Sequence, residues 1–133
     1  MHMTVRRGER CSTDWAYLAP ARKRPNLTVV TEAEVDKLIL SGKQVRGVWY
    51  QRRGEMCEAS ARREVILSAG SIGSPAILQR SGIGPSQVLA DAGVSVQHEL
   101  AGVGENLQDH LEVYFQYRCK ACLLYTSPSP RDS

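Results

Sequence analysis

Residues 64–84 read EVILSAGSIGSPAILQRSGIG, and this stretch is the clearest structural signal in the chain. It opens with a nearly continuous apolar run at residues 64–68, which ends at Ala69 and Gly70. Such a run, bounded by small residues, is typical of a strand that is buried on both faces of a sheet. We therefore predict a strand inside a sheet at this position.

Two short helices are predicted to follow this strand. Ser74 and Pro75 provide an N-cap residue and a proline for the first helical position, so we predict a helix over residues 76–81 that ends at Gly82. The next helix is predicted over residues 85–92 and also ends at a glycine. Short helices beside a buried strand are typical of α/β folds.

The region before residue 64 has the pattern of a small antiparallel meander. Short runs rich in β-branched and apolar residues alternate with turn signals at residues 41–43 and around Gly54. Strands joined by tight turns explain this pattern. The predicted strands are residues 26–31, 35–40, 45–51 and 57–62.

The region after residue 93 is predicted to contain two further strands and a loop. Residues 94–97 are a brief strand, residues 101–109 are a glycine-punctuated loop, and residues 111–118 alternate between apolar and polar side chains. Alternation over this length is typical of a half-buried strand. Residues 121–133 are rich in serine and proline and have no periodicity, so we predict that they are disordered.

Length and composition are typical of one globular unit. The chain has 133 residues, of which 42% are hydrophobic and 23% are charged, close to the average for soluble domains. Its longest aliphatic runs are far shorter than the roughly 20 apolar residues of a membrane-spanning helix. Residues 1–63 carry 13 basic and 7 acidic side chains, but aromatic residues do not interleave with the basic ones. We therefore predict no nucleic-acid partner.

The cysteines do not predict a metal centre. Four are present, and only Cys119 and Cys122 are close in sequence. A closed structural zinc site needs four ligands, and neither a second cysteine pair nor a His-x-x-x-His motif accompanies this one. We therefore predict no metal site and expect free thiols in a reducing compartment.

The junction between the predicted strand and the first helix is the candidate site. The mainly small residues from Ala69 to Ser74 allow backbone N–H groups to approach a phosphate or ribose, since Gly70 and Gly73 have no Cβ in the way. On spacing alone, an ordinary tight connection is the favoured interpretation, and a cofactor site is the alternative. Asp109 and His110 are adjacent acid–base candidates, but neighbours on a strand point to opposite faces, so we assign them no catalytic role.

Residues 70–84 resemble the second signature of the glucose-methanol-choline (GMC) oxidoreductases, flavoenzymes that oxidise alcohols with FAD. The likeness continues upstream through residues 63–70 and downstream through residues 102–110, in the same order as in the family. Within the family, residues 106–117 are most similar to the members that oxidise choline. Residues 106–110 resemble a loop that lies near the flavin.

The resemblance covers roughly residues 8–120 and implies a mixed α/β fold. It implies part of an FAD/NAD(P)-binding, Rossmann-like domain, with a small antiparallel meander and short helices, followed by the start of a substrate domain. Residues 1–120 would form a part of the FAD-binding domain that is incomplete at both ends, with the family's glycine-rich phosphate loop upstream. Similarity stops at Lys120, and residues 121–133 resemble translated adapter DNA.

The resemblance also implies where FAD would bind. Val35 occupies the position whose backbone meets the adenine. The turn at Ala69 and Gly70 resembles the one that passes close to the ADP half of FAD. Ser71 and Ser74 belong to the same turn and complete the predicted cofactor-binding set.

The implied activity is the oxidation of a small-molecule alcohol, with choline converted to betaine aldehyde by proton abstraction and hydride transfer to FAD. Other alcohols or sugars are the alternative substrates, and the electron acceptor is left open. The histidine that takes the hydroxyl proton and its His or Asn partner are expected outside this sequence, so no catalytic residue is assigned. The resemblance implies a membrane-associated or cytoplasmic protein in bacteria, or a mitochondrial one in eukaryotes.

A non-catalytic module is the alternative from another class of function. In that interpretation the chain keeps the sheet of a former flavoprotein and binds or supports a partner without turnover. A strand followed by Gly-x-Gly-x-x-Gly upstream in the same reading frame would favour the enzyme.

Overall fold

The computed structural model describes residues 4–115, and its first part is a hairpin followed by short helical turns. These elements are β1 (Val5–Arg6), β2 (Glu9–Arg10), a π-helical turn (Asp14–Leu18) and helix α1 (Ala19–Ala21). The Arg6 guanidinium lies over the ring of Trp15, 5.7 Å from its centroid. This cation–π contact joins the hairpin to the helical turn.

A three-stranded antiparallel meander follows. Its strands are β3 (Ala33–Ser41), β4 (Gln44–Arg52) and β5 (Glu55–Ser60), hydrogen-bonded in that order. Three of the four predicted strands are thus confirmed, with ends that differ by one or two residues. The strand predicted at residues 26–31 is wrong, because this segment has no strand partner in the described part of the chain and its valines are exposed.

Local backbone geometry sets the register of the meander. Arg53 and Gly54 form the two-residue loop between β4 and β5, and both have positive φ, as type I′ hairpin turns require. The register between β3 and β4 shifts at Asp36, which is an extra residue on β3. A bulge of this kind bends its strand and changes the direction of nearby backbone groups.

Two helices follow the meander and end where the sequence predicts. They are α2 (Gly70–Arg80) and α3 (Ser86–Asp91). Gly82 and Gly93 each lie two residues beyond a helix and have positive φ, a conformation that cannot continue a right-handed helix. The glycines therefore act as the predicted stops.

The start of α2 differs from the prediction. The helix begins at Gly70, before Ser74, and contains Pro75 in its second turn. Because Pro75 lacks an N–H, it cannot donate to the carbonyl of Ser71 four residues earlier. The hydroxyl oxygen of Ser74 accepts a hydrogen bond from the N–H of Ala69 at 3.0 Å, which satisfies one of the donors left over at a helix start. Ser74 thus supports the helix start from within the helix.

Two short parallel strands pair beyond α2. They are β6 (Ile83–Gly84) and β7 (His98–Glu99). The strand predicted at residues 94–97 is therefore misplaced. Two consecutive amides, those of residues 97 and 98, bind the carbonyl oxygen of Gly82 at 2.8 and 3.1 Å, and regular pairing begins only at that point.

Two apolar runs that were predicted as strands are not strands. Residues 64–68 have no strand partner among residues 4–115, and Ile66 is 76% exposed. Residues 111–115 also lie in no strand within the described part of the chain, and Leu111 is 94% exposed. A strand forms only where a neighbouring strand completes its backbone hydrogen bonds, and the described residues supply none here. The rest of the predicted strand, residues 116–118, and the predicted disordered tail lie outside the described residues.

The buried side chains lie where α2 meets the meander and the segments after it. The apolar ones are Leu38, Ile77, Leu89 and Val103. The hydroxyl of Ser81, also buried, donates to the Ile77 carbonyl at 2.6 Å and accepts from the Leu38 N–H at 2.8 Å. This hydroxyl therefore ties the end of α2 to β3. No helix within residues 4–115 has the length and apolar character needed to cross a membrane.

Candidate functional site

The predicted strand-to-helix junction becomes the first turn of α2. Gly70 has a φ of +85°, and apart from its chain neighbours and the backbone of its own helix, no atom lies within 4 Å of the position that a Cβ would take. Ala69 precedes it as the N-cap residue, and Ser71 follows with an exposed side chain. The unpaired N–H groups of the first turn and the positive end of the helix dipole both favour a negatively charged group. The open space at Gly70 allows such a group to approach the backbone.

An open cleft of about 820 Å³ lies beside this turn. One wall is α2, and the other wall is the loop of residues 102–108, which we call the cleft loop. The lining is mainly apolar, and the volume falls in the range of roughly 300–1,000 Å³ that is usual for small-molecule sites. The lining residues on α2 are Ser71, Ile72, Ser74, Pro75, Ala76, Leu78 and Gln79.

The cleft loop is anchored at one end and exposed at the other. The side-chain amide of Gln79 donates to the carbonyl oxygen of Val103 at 3.3 Å, and Val103 is buried. Gly104 and Asn106 have positive φ, +85° and +57°, a region in which glycine and asparagine are the usual residues. Sequence reasoning missed Gln79, because helical spacing gives no sign of which backbone group a glutamine reaches.

Val35 lies apart from the other predicted cofactor-binding residues. It is in β3, next to the bulge at Asp36, and its carbonyl oxygen accepts a hydrogen bond from Nη2 of Arg80 at 3.1 Å. Nε of Arg80 donates to the carbonyl oxygen of Asp36 at 2.7 Å. Arg80 ends α2, about 9 Å along the helix from Ser74 at 1.5 Å per residue. The structure therefore gathers residues 69–74 at one end of α2 and places Val35 at the other.

The helix start and the cleft fit the phosphate and ribose part of a dinucleotide such as FAD. The first turn of α2 contains no acidic residue that would repel a phosphate. The space at Gly70 is open, and the hydroxyl-bearing Ser71 and Ser74 line the cleft. The α2 wall carries no charged side chain, so an apolar or aromatic part of a ligand could pack on it. The individual contacts of these residues stay predictions.

The titratable candidates do not gather at the cleft. Asp109 accepts a hydrogen bond from the backbone N–H of its neighbour His110 at 2.8 Å, and both residues are exposed. The hydroxyl of Tyr114 donates to the carboxylate of Glu112, and this hydrogen bond raises the pKa of Tyr114. Within residues 4–115 no three His, Cys, Asp or Glu side chains are placed to hold a metal ion. Among the described residues, the lining of the cleft thus contains no acid–base pair.

Comparison with known proteins matches residues 1–112 to the family model of GMC oxidoreductase. The chain is 53% identical over 113 residues to an oxygen-dependent choline dehydrogenase from Paraburkholderia xenovorans. The aligned residues make up 85% of this chain and 20% of that relative. The chain therefore spans about a fifth of the length of the curated relatives it matches.

The fold is shared with solved oxidoreductase structures. A pyridoxine 4-oxidase from Mesorbium loti is similar with a TM-score of 0.68 and 40% identity, over 73% of this chain and 19% of that one. An FAD-dependent oxidoreductase from Chaetomium thermophilum has a TM-score of 0.61 and 36% identity, over 63% of this chain and 15% of that one. The predicted mixed α/β class, with an antiparallel meander and short helices, is confirmed.

Proposed function

Because this chain belongs to the GMC oxidoreductase family, as residues 70–84 predicted, we propose that it forms part of the FAD-binding domain of an alcohol oxidoreductase. The cofactor is FAD, and residues 1–120 contribute to the domain that holds it. The remaining segments of that domain and the substrate domain belong to the same longer polypeptide. This proposal is supported by the relatives, of whose length the chain spans about a fifth.

The observation that carries the proposal is the cleft between α2 and the cleft loop. It brings a helix start with open space at Gly70 next to a mainly apolar volume of about 820 Å³. A dinucleotide cofactor needs both features, because its diphosphate is charged and its rings are largely apolar. No acidic side chain lies in the first turn of α2, so the electrostatic preference for phosphate is not cancelled there.

The residues of this chain bind and orient the cofactor. The N–H groups at the start of α2 and the hydroxyls of Ser71 and Ser74 contact the diphosphate or ribose, and the backbone of Val35 meets the adenine. Bound FAD supplies hydride acceptance from the alcohol carbon. The hydroxyl proton goes to a histidine in a segment outside these residues, so the chain's own contribution is to binding.

The substrate of the complete enzyme is choline, which it oxidises to betaine aldehyde. The support is the similarity to proteins named oxygen-dependent choline dehydrogenase, at 53% identity over 113 residues. The residues that choose the alcohol lie mainly outside this chain, since function depends on the site and not on the fold alone. Related alcohols and sugars are the competing substrates.

The substrate is tested on the full-length protein that carries this chain. Purified protein is assayed with choline and with aliphatic primary alcohols of similar length, in the presence of either oxygen or an artificial electron acceptor. We expect flavin absorbance in the preparation and turnover of choline. Good turnover of another alcohol without turnover of choline would contradict the substrate, and a colourless, inactive protein would contradict the whole proposal.

The cofactor cleft is tested with Ser71→Asp in the same full-length protein. A carboxylate in the first helical turn favours the helix, so loss of FAD cannot be ascribed to unfolding of α2. It would face the cofactor's diphosphate across a few ångströms, and we expect FAD affinity to fall by about tenfold or more. Ser95→Asp adds the same charge at an exposed position outside the cleft and should leave the affinity unchanged. Equal FAD binding by the two variants would contradict the assignment of the cleft.

A further inference from the structure

Gln79 connects α2 to two other parts of the molecule. Its amide nitrogen donates to the carbonyl oxygen of Val103 at 3.3 Å, at the start of the cleft loop. The same nitrogen lies 2.9 Å from the position that a Cβ on Gly104 would take, and its Cγ lies 3.3 Å from the corresponding position at Gly84. Both neighbours are thus glycines whose missing side chains make room for Gln79.

The cleft loop leaves α2 just beyond this contact. Gly104 and Asn106 have positive φ, so the backbone is bent sharply just after Val103. The loop residues beyond the bend are exposed, from residue 104 to residue 108. A part-buried hydrogen bond at the base of such a loop fixes the direction in which the exposed part leaves the helix.

We propose that Gln79 is a positioning residue for the ligand of the cleft. Its amide holds Val103 against α2 and thereby sets the separation between the two walls, on both of which the ligand packs. The identity of that ligand as FAD rests on the proposed function. The positioning role itself rests on the hydrogen bond and on the lining of the cleft, to which both Gln79 and residues 102–108 belong.

Two substitutions at Gln79 separate the hydrogen bond from the bulk of the side chain. Gln79→Met keeps the length and removes the donor. Gln79→Glu keeps the shape, places a carboxylate beside the Val103 carbonyl at neutral pH, and regains an O–H donor when the carboxyl is protonated. Gln87→Met is the matched control, because Gln87 donates to Asp91 at 2.8 Å on the exposed side of α3, away from the cleft.

The first measurement is FAD affinity in the full-length protein, expressed relative to wild type at each pH. Loss of one hydrogen bond predicts roughly three- to tenfold weaker binding for Gln79→Met at every pH. Gln79→Glu should bind at least as weakly at about pH 7 and recover toward wild type as the pH falls to about 4.5, near the usual pKa of a glutamate. Gln87→Met should match wild type. Equal, pH-independent losses in both Gln79 variants, or no loss in either, would overturn the role of the hydrogen bond.

The second measurement is amide hydrogen exchange in the cleft loop, which does not depend on the cofactor. We expect the amides of Val103 and Glu105, which donate to the carbonyl oxygens of Leu100 and Gly102 at 3.1 and 3.3 Å, to exchange several-fold faster in Gln79→Met and at the wild-type rate in Gln87→Met. Unchanged exchange in Gln79→Met would overturn the positioning role even if FAD binds. If the wild-type full-length protein binds no FAD while the loop still loosens, the proposed function fails and the positioning of the loop stands.

Discussion

Replacing Gly82 by alanine is expected to damage the fold much more than the same replacement at Gly93. Both glycines follow the end of a helix, and both have positive φ, +79° and +68°. Alanine in this left-handed region costs roughly 1–2 kcal/mol. At Gly93 nothing lies within 4 Å of the position of the new methyl group, so this conformational cost is the whole expected effect.

At Gly82 a steric cost is added. The new methyl carbon would lie 2.4 Å from the carbonyl oxygen of Ser95 and 2.7 Å from Cγ of Gln97. The Gln97 side chain can move away, but the Ser95 oxygen belongs to the backbone, so the segment that leads into β7 must shift. Overpacking of this kind costs typically about 1–3 kcal/mol. Gly82→Ala should therefore destabilise the fold by about 2–5 kcal/mol.

Amide hydrogen exchange measures this difference at the affected place. The N–H groups of Gln97 and His98 both bind the carbonyl oxygen of Gly82, at 2.8 and 3.1 Å. The extra steric cost predicts that these two amides exchange about 5- to 150-fold faster in Gly82→Ala than in Gly93→Ala. Equal exchange rates in the two variants would refute the reasoning, since they share the conformational cost and differ only in the overlap.

Two further predictions concern the packing of α2 and the cofactor-binding segments that the chain contains. Ser81→Ala leaves the buried N–H of Leu38 without its acceptor, so stability should fall by about 1–3 kcal/mol and the Leu38 amide should exchange about 5- to 150-fold faster. Ser86→Ala, which removes a hydrogen bond to Glu99 at the surface, should cost less than about 1 kcal/mol. The purified 133-residue chain should show no bound flavin and no alcohol oxidation, because the glycine-rich phosphate loop is expected outside it. Its thermal transition should be weakly cooperative, because apolar runs are exposed. A yellow, monomeric preparation with flavin absorbance would contradict this prediction.

The meander could be predicted from the sequence because its signals are local. Alternating side chains and a glycine in each connection determine where strands begin and turn, and β3, β4 and β5 lie within one or two residues of the predicted positions. The stops at Gly82 and Gly93 are equally local, since positive φ at one residue is enough to end a helix.

The failed predictions concern structure that needs a distant partner. Residues 64–68 have the composition of a buried strand, yet Ile66 is 76% exposed, because no strand among residues 4–115 lies beside them. Residues 111–115 likewise lie in no strand within the described part of the chain. An apolar run indicates that a segment is suited to burial inside a sheet. A strand forms there only when a neighbouring strand is present to pair with it.

The sequence pointed to the position of the candidate site, but it gave no sign of the long-range contacts that hold the surrounding elements in place. The small residues around Gly70 allow a close approach to the backbone, although their spacing alone favours an ordinary tight connection, and the structure places a cleft beside them. The contacts of Gln79 with Val103 and of Arg80 with Val35 span 24 and 45 residues. Such contacts depend on how the elements pack, and neither residue type nor helical spacing specifies them.

Helix α2 has two sets of contacts, one with the meander and one with the cleft. Arg80 and the adjoining Ser81 bind backbone groups of β3, and the exposed strand edge is thereby covered. Ser71 and Ser74 face the cleft, and Gln79 holds the opposite wall in place. Because one rigid helix of 11 residues carries both sets, a change that tilts it on the meander also moves one wall of the cleft. The packing of α2 on β3 and the shape of the cleft are therefore coupled, and a substitution that alters one also alters the other.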